Sequence, residues 1–302
     1  MKTDIRVVSL LASSTEIICK LGMESTLLGR SHACDYPSSV LDLPSLTIPK
    51  YENMTLQSER DVVQEALSIF HVDVDLLQQL QPDVIFTQPD YMRYGLMEAQ
   101  FMQAIQDVLG EGVKIVPLMP NSLADFAGDM LRIATELDVA EEGEILVETL
   151  TTRMEEIGLH TAQLSMRPTV ALLEWIDPLM VAGYWMPTLV EMAGGINMGL
   201  MQNQPSARIS LTELSGLNPD VIMMAPCGYD IGTTYNEMAP LLQQPQWNHL
   251  KAVRTKKVYL ADGIQYFNRP GPRLMESLEI LAEILHPKHF HFGHQGMGWV
   301  RL

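Results

Sequence analysis

The chain has 302 residues, and at about 150 residues per domain this length predicts two lobes. Hydrophobic residues make up 47% and charged residues 19%, a composition that favours folded cores over disorder. The 20 Lys and Arg against 37 Asp and Glu give a formal charge of −17, which disfavours nucleic acid and anionic lipid as partners. No apolar run approaches the roughly 18 residues of a membrane span.

The first residues show no apolar signal segment and no cysteine for lipidation before a strand-like run begins at Val7. As written, the sequence therefore predicts a cytoplasmic protein. The three cysteines, Cys19, Cys34 and Cys227, include no CxxC pair. Their number and spacing exclude a disulfide framework and disfavour a thiolate zinc site.

The first half of the chain alternates between strand and helix patterns. A strand at 6–11 precedes a helix in which Ser13 and Glu16 have the spacing of a capping box, and Gly22 ends that helix. The elements expected next are a strand at 27–30, a polar loop at 32–37, an extended connection at 38–57, a helical stretch at 58–81, a strand at 83–86, a helix at 97–109 and a strand at 113–117. This alternation predicts a parallel sheet covered by helices.

The middle of the chain reads as helix. Ser122 begins a helical stretch that runs to about Leu137, and 140–164 forms one long acidic helix. Twenty-five residues at 1.5 Å each make a rod of about 37 Å, long enough to brace two lobes.

Strand and helix patterns then alternate again. The expected elements are a strand at 169–174, a loop at 175–186, a helix from Pro187 to Gly194, a strand at 221–224, a loop at 225–230, a strand at 258–260, a helix at 272–285 and a His-rich tail at 286–302. Phe290, Phe292 and Trp299 are spaced through the tail as anchors would be, so packing explains the tail better than metal binding.

An internal repeat links the two halves. LQPDVI at 80–85 recurs as LNPDVI at 217–222, and a leucine-spaced helix precedes each copy. Such self-similarity predicts two lobes of similar topology. The predicted division is an N-terminal α/β lobe at 1–121, a helical connection at 122–166 and a C-terminal α/β lobe at 167–302.

Several segments carry a resemblance to a known family. They are VVSLLASSTEII at 7–18, LGRSHACDYP at 28–37, the two PDVI repeats, EWIDP at 174–178, APCGY at 225–229 and YFNRPGPR at 266–273. Through them the chain resembles the helical-backbone class of solute-binding proteins, which includes vitamin B12-binding and iron–siderophore-binding proteins, and within it the branch labelled cobalamin-binding. The resemblance implies two Rossmann-like α/β lobes joined by a long helix, with a ligand held in a cleft between them.

The resemblance also implies a partner. Transport members dock to an ABC permease through an acidic residue on each lobe, and the corresponding positions here are Asp75 and, beside Thr212, Glu213. Those members carry a signal peptide or lipid anchor, which this sequence does not display. A cytoplasmic, monomeric binding protein fits the sequence better, and a periplasmic one follows if a signal is missing from it.

Loops that follow the strands supply the candidate ligand-binding residues, since ligands of open α/β sheets bind at the carboxyl ends of strands. They are Ser13, Ser14, His32, Asp35, Tyr36, Gln88, Trp175, Tyr184, Trp185, Cys227, Tyr229, Tyr266, Phe267, Asn268 and Arg269. The second lobe's share is rich in aromatic residues, which suits a large flat ligand such as a corrin ring.

The alternatives use the same loops. A ferric siderophore or haem ranks second, because Arg93 and Arg269 do not form the arginine cluster that anionic chelates favour. The segment 268–272 reads equally well as a helix start that faces a ligand phosphate or as a stiff loop. An enzyme that uses His32 and Cys227 ranks third, because no nucleophile or nucleotide motif accompanies them. We therefore expect a binding protein that needs no cofactor and no metal and takes a corrinoid as its ligand.

Overall fold

The computed structural model describes residues 5–50, 55–199 and 201–302. The chain divides into two compact units. The first comprises Met1–Pro120 and Ala127–Val147, and the second Asn121–Phe126 and Glu148–Leu302. The division runs through the helices of the segment 122–166, so the separate connection drawn there from the sequence stays a prediction. No helix in the described ranges is both long and apolar enough to cross a membrane.

The first unit is built on a four-stranded parallel sheet with strand order β2-β1-β5-β6 and a small antiparallel pair, β3 and β4. Its strands are β1 (Val7–Ser9), β2 (Leu27–Arg30), β3 (Thr47–Ile48), β4 (His71–Val72), β5 (Val84–Thr87) and β6 (Lys114–Pro117). Its helices are α1 (Ala12–Lys20), α2 (Glu59–Ala66), α3 (Val74–Leu80) and α4 (Glu98–Leu109). Val8, Leu10, Ile85, Phe101 and Ile105 lie in one apolar core that the sheet shares with α2, α3 and α4.

Three local predictions in this unit were wrong. The stretch 58–81 is not one helix. The Thr87 hydroxyl donates a hydrogen bond to the Leu67 carbonyl and the Lys50 ammonium donates one to the Ser68 carbonyl, so α2 ends at this point. The chain then pairs as β4 with β3 before α3 begins. The connection 38–57 contains a 3₁₀ turn at Ser38–Asp42 besides β3, and its residues 51–54 lie outside the described ranges.

The third correction concerns the start of α1. The helix begins at Ala12 with Leu11 as N-cap, so Ser13 and Glu16 lie inside it and form no capping box. The Ser14 and Thr15 hydroxyls bond instead to the Leu11 carbonyl and to Ser9. The predicted glycine end is confirmed, because Gly22 follows the helix with φ +74°.

The division between the units falls within two helices. They are α5 (Leu123–Glu136) and α6 (Ala140–Ala162). The amide of Asp125 donates to the Ser122 hydroxyl at 3.1 Å, which confirms Ser122 as the cap of α5.

The second unit is built on a seven-stranded sheet. Its strands are β7 (Thr169–Ile176), β8 (Leu179–Val181), β9 (Ile196–Asn197), β10 (Ala207–Arg208), β11 (Val221–Met224), β12 (Val258–Ala261) and β13 (Trp299–Arg301). Its helices are α7 (Met186–Met192), α8 (Leu211–Leu217), α9 (Ile231–Glu237), α10 (Ala239–Leu242), α11 (Pro245–His249), α12 (Lys251–Arg254) and α13 (Leu274–Leu285). The sheet order is β10-β8-β7-β11-β12-β13, with β9 paired to β7.

Part of the predicted loop 175–186 is strand. Leu179–Val181 turns back antiparallel onto β7 because this pairing buries Leu179 and Val181 in the core. The tail is also packed: Trp299–Arg301 pairs antiparallel with β12, and Phe290 and Trp299 are buried.

The internal repeat is confirmed in detail. Gln81 and Asn218 end α3 and α8 in the left-handed region, at φ 44° and 45°. In each unit the repeat strand pairs in parallel with the unit's first strand, Val84 opposite Val7 and Val221 opposite Val170. The parallel strands β9, β7, β11 and β12 lie in the same order as β2, β1, β5 and β6.

The aspartate of each repeat has the same task. One carboxylate oxygen of Asp83 accepts the backbone N–H of Arg6 at 2.8 Å, and one of Asp220 accepts that of Thr169 at 2.9 Å. Arg6 directly precedes β1, and Thr169 is the first residue of β7. Asp220 also pairs with Lys251 at 2.6 Å, and this pair with the Thr169 bonds lowers the pKa of Asp220 to about 2.

We predict that Asp220→Asn lowers the free energy of unfolding of the second unit by about 2 kcal/mol at pH 7. A lowered pKa contributes stability above the unfolded value near 3.8 and loses it as pH falls through about 2. The difference between wild type and variant should therefore shrink between pH 4 and pH 2, as measured by urea unfolding at several pH values. Glu237→Gln, an exposed acid on α9, is the control, and an equal loss at every pH would contradict the assignment.

Candidate functional site

The carboxyl end of β1 opens on a buried polar cluster. The Ser9 hydroxyl lies 2.7 Å from that of Ser14 and accepts from that of Thr15 at 2.8 Å. Thr15 also lies 3.0 Å from the Cys34 sulfur. Ser14 and Cys34 are fully buried, so Ser14 stabilises the first turn of α1 and does not face solvent as the sequence suggested.

His32 is the half-buried imidazole of this edge. Its ring lies edge-on to Phe70, with centroids 4.5 Å apart, and its Nδ1 is 2.7 Å from the Thr47 hydroxyl. Burial lowers the pKa of His32, so the ring is neutral at pH 7. With Nδ1 held by Thr47, Nε2 is the nitrogen that can meet a ligand.

The remaining first-unit candidates differ in exposure. Asp35 and Tyr36 are exposed, Gln88 is half-buried directly after β5, and Ser13 is nearly buried at 8%. Asp35, Tyr36 and Gln88 lie in loops after the carboxyl ends of β2 and β5, as predicted, whereas Ser13 lies inside α1 and not in a loop.

Three aromatic rings follow the carboxyl ends of three adjacent strands in the second unit. We call Trp175, Tyr229 and Tyr266 the aromatic platform; they lie at or after the ends of β7, β11 and β12, and each is half-buried. The rings of Trp175 and Tyr229 lie 5.2 Å apart at 44°. The Trp175 N–H donates to the Asp177 carbonyl at 3.0 Å, which fixes the indole against its own turn.

Backbone hydrogen bonds join the three loops that carry the platform. The amide of Cys227 donates to the Glu174 carbonyl at 3.1 Å, and that of Gly263 donates to the Tyr229 carbonyl at 2.9 Å. The Asn268 side chain donates to the carbonyls of Ala225 and Gly263 at 3.0 and 3.1 Å. Asn268 therefore connects loops, a role that the sequence did not suggest.

Two of the aromatic residues that the sequence predicts as ligand-binding, Trp185 and Phe267, are buried. Phe267 is fully buried, and Trp185, 9% exposed, donates its indole N–H to the Phe267 carbonyl at 3.1 Å. They support the platform and do not present a face to solvent. Tyr184, half-buried with φ +54°, stacks beside Trp185 at 5.9 Å.

Cys227 is the exposed thiol of this edge. Although the residue as a whole is exposed, its sulfur lies among the loops, and this burial raises the pKa of the thiol; the Glu174 carboxylate raises it further, and the half-buried Arg269 opposes both. The thiol therefore stays protonated at neutral pH, which is the wrong state for a nucleophile or a soft metal ligand. In the described ranges, no three His, Cys, Asp or Glu side chains are grouped as metal ligands would be.

A cavity of about 520 Å³ adjoins the platform within the second unit. Trp175 and Tyr229 form one wall, and Leu179, Ile209 and Leu241 add apolar surface. Its size lies in the range of small-molecule pockets.

Sequence reasoning missed two residues that shape this edge. Asp262 accepts the amides of Ile264 and Gln265 at 2.9 and 2.8 Å and so starts the π-type turn at Gly263–Phe267 that carries Tyr266. Glu174 lies beside Cys227, and burial raises its own pKa. The available signal was an acid directly after a buried strand for Asp262 and an acid within an otherwise apolar strand for Glu174.

Two α/β units with binding-type loops at the carboxyl ends of parallel strands define a ligand-binding protein of the two-lobed kind. The family model described as periplasmic binding protein matches residues 7–264, and the chain belongs to this family.

Relatives agree with this assignment. The vitamin B12-binding protein of Vibrio cholerae serotype O1 is 21% identical over 290 residues, which cover 93% of this chain and 88% of the relative. A solved ABC transporter substrate-binding protein from Listeria monocytogenes has a TM-score of 0.73 at 20% identity, covering 94% of this chain and 100% of that one. A periplasmic heme-binding protein from Pseudomonas aeruginosa has a TM-score of 0.71 at 20% identity, covering 94% and 93%. At these identities the structures support the fold alone.

We predict that iodoacetamide modifies Cys227 first, and more slowly than a free cysteine at pH 7.5, because the raised pKa limits the thiolate. Cys34 is buried, and burial raises the pKa of Cys19 to about 12. Glu174→Gln should accelerate the reaction several-fold by removing a negative neighbour, as followed by mass spectrometry of the modified peptide, whereas Glu237→Gln should not. A slower reaction in Glu174→Gln would refute the electrostatic reading.

We predict that Gly263→Ala disrupts the platform, because an added Cβ would lie 2.0 Å from the Pro226 carbonyl oxygen. The two loops must separate, and we expect a loss of at least about 2 kcal/mol in the free energy of unfolding. Gly216→Ala in α8 is the matched control with the opposite sign, since nothing lies within 4 Å of that Cβ and alanine favours helix. Calorimetric unfolding of both variants checks this, and an unchanged Tm in Gly263→Ala would show that the loops are not in contact.

Proposed function

We propose that this protein binds a corrinoid, cobalamin or a close relative, without converting it chemically. The observation that carries the proposal is the aromatic platform, three half-buried rings on three loops that backbone hydrogen bonds hold together. A corrin ring has flat faces that suit such rings, and its fringe of amide groups suits backbone and amide partners. The vitamin B12-binding relative supports the same ligand class.

Polar groups beside the platform fit the rest of such a ligand. Arg269 follows Tyr266 in the chain and offers a cation to a carboxylate or phosphate. In the first unit, Ser13, His32, Asp35, Tyr36 and Gln88 are the proposed contacts. Four further residues support the binding surface without contacting the ligand in this proposal: Ser14, Trp185, Phe267 and Asn268.

A second candidate ligand is haem. An aromatic surface also suits a porphyrin, and His32 is a neutral imidazole with Nδ1 held by Thr47, the state in which Nε2 can ligate iron. The heme-binding structural neighbour favours this candidate. A ferric siderophore ranks below both, because the arginines beside the platform, the half-buried Arg269 and the buried Arg273, are not the exposed cluster that anionic chelates favour.

An enzymatic role for His32 and Cys227 is not favoured. The raised pKa of Cys227 keeps the sulfur protonated at neutral pH, and a nucleophilic thiol needs a lowered one. Binding without turnover agrees with the family.

Coupling to an ABC permease through Asp75 and Glu213 is part of the proposal. Asp75 is highly exposed and pairs with Arg60 at 2.8 Å. Glu213 accepts from the Ser210 amide and hydroxyl at 2.8 and 2.7 Å, so it also caps α8. An uncharacterized ABC transporter substrate-binding lipoprotein of Bacillus subtilis is 21% identical over 298 residues, which cover 94% of this chain and 81% of the relative. It favours an extracytoplasmic location over the cytoplasmic one expected from the sequence.

We expect purified protein to bind cyanocobalamin or dicyanocobinamide one-to-one in calorimetry. Trp175→Ala and Tyr229→Ala should each weaken binding by about fivefold, corresponding to about 1 kcal/mol for a lost ring contact. Tyr235→Ala removes an exposed ring from α9 and should leave the affinity unchanged. Wild-type affinity in both platform variants would contradict the platform assignment, and binding of haemin alone would replace corrinoid with the second candidate.

A further inference from the structure

The C-terminal segment 286–302 lies against α13 through two buried carboxylates one helical turn apart. Glu279 and Glu283 are 7% and 5% exposed. Burying a charge is costly unless partners replace the lost water, so the partners of these carboxylates are structurally decisive.

Glu283 holds the backbone of the segment. One of its oxygens accepts the amides of Phe292 and Gly293, the latter at 2.6 Å, and the other accepts the Trp299 indole N–H at 2.8 Å. The amide of His294 also donates to the first of these oxygens, at 3.4 Å, so four donors from the segment meet one carboxylate.

Glu279 holds a side chain of the segment. One oxygen accepts from the Arg153 guanidinium of α6 at 2.6 and 3.0 Å, and the other accepts from His294 Nε2 at 2.8 Å. Phe292 lies under the same guanidinium, 5.9 Å from its centre.

His294 in turn contacts the aromatic platform. Its ring meets that of Tyr266 edge-on, with centroids 6.2 Å apart at 70°. The Arg273 guanidinium lies over the Tyr266 ring at 5.8 Å, and a Cβ at Gly298 would lie 3.3 Å from Tyr266 Cε2. Tyr266 is thus enclosed by the segment on one side and by a cation on its face.

We propose that His294 is a positioning residue for ligand binding: as an imidazolium bonded to Glu279, it fixes the Tyr266 ring, and ligand affinity falls when it loses its proton. This inference rests on the proposed function, because Tyr266 belongs to the platform.

The charges around His294 determine the direction in which its pKa shifts. Glu279, Glu283 and Glu276 of α13 face it, Arg153 of α6 shares Glu279, and Arg273 stands across the Tyr266 ring. The Glu279 bond raises the pKa of His294, and burial opposes it with a smaller effect. A raised pKa gives stabilisation that is complete below about 6.5 and is lost as pH rises through the folded value.

The first measurement needs no ligand. A proton NMR titration of the full chain between pH 5.5 and 9 should give His294 a midpoint above 6.5, with the Tyr266 ring signals shifting at the same midpoint. Glu279→Gln should move that midpoint down, because the strongest acceptor loses its charge. Tyr266 signals that do not follow His294 would overturn the proposal.

The second measurement is equilibrium dialysis with cyanocobalamin, whose cobalt ligands do not titrate in this range. Wild-type affinity should fall several-fold between pH 6 and pH 9. His294→Gln keeps a neutral donor for Glu279 and should abolish this dependence, whereas His291→Gln, exposed on the same segment, should retain it. Equal pH dependence in wild type and His294→Gln would overturn the proposal. Absence of corrinoid binding at every pH would remove the proposed function, while the ligand-free titration still decides whether His294 positions Tyr266.

Discussion

The arrangement of both sheets depends on one hydrogen bond that occurs twice. In each unit, the aspartate just before the repeat strand accepts a hydrogen bond from the backbone N–H at the start of the first strand: Asp83 from Arg6, and Asp220 from Thr169. Gln81 and Asn218, in the left-handed region, end the preceding helix and turn the chain towards the aspartate. Because the two strands begin in register and run parallel, the loops that follow them lie at the same edge of the sheet.

The two edges are used differently. In the first unit the hydroxyls of Ser9, Ser14 and Thr15 bond to one another and to the Leu11 carbonyl, and His32 is held by Thr47. In the second unit the backbone holds the loops together, so side chains such as Trp175 and Tyr229 remain half-exposed. Recognition of a flat ligand is therefore concentrated, in our proposal, on the second unit.

Sequence patterns predicted the fold well because they record local periodicity. The repeat, the glycine end of α1 and the strands 221–224 and 258–260 depend on neighbours in the chain, and all are confirmed. The break at 67–70 and the strand at 179–181 depend on Lys50, Thr87 and β7, which are distant in sequence or lie across a turn. Burial of Ser14 and Phe267 is likewise a tertiary property, since a polar or aromatic residue after a strand reads the same whether it faces solvent or core.

The tryptophan fluorescence of this protein reports on one unit. All four tryptophans, Trp175, Trp185, Trp247 and Trp299, belong to the second unit. Three are at least nine-tenths buried, whereas Trp175 is partly exposed on the platform. Tryptophan emission will follow the unfolding of the second unit and carries no signal from the first, whereas far-ultraviolet circular dichroism reports on both. A difference between the two curves measures how far the units unfold independently.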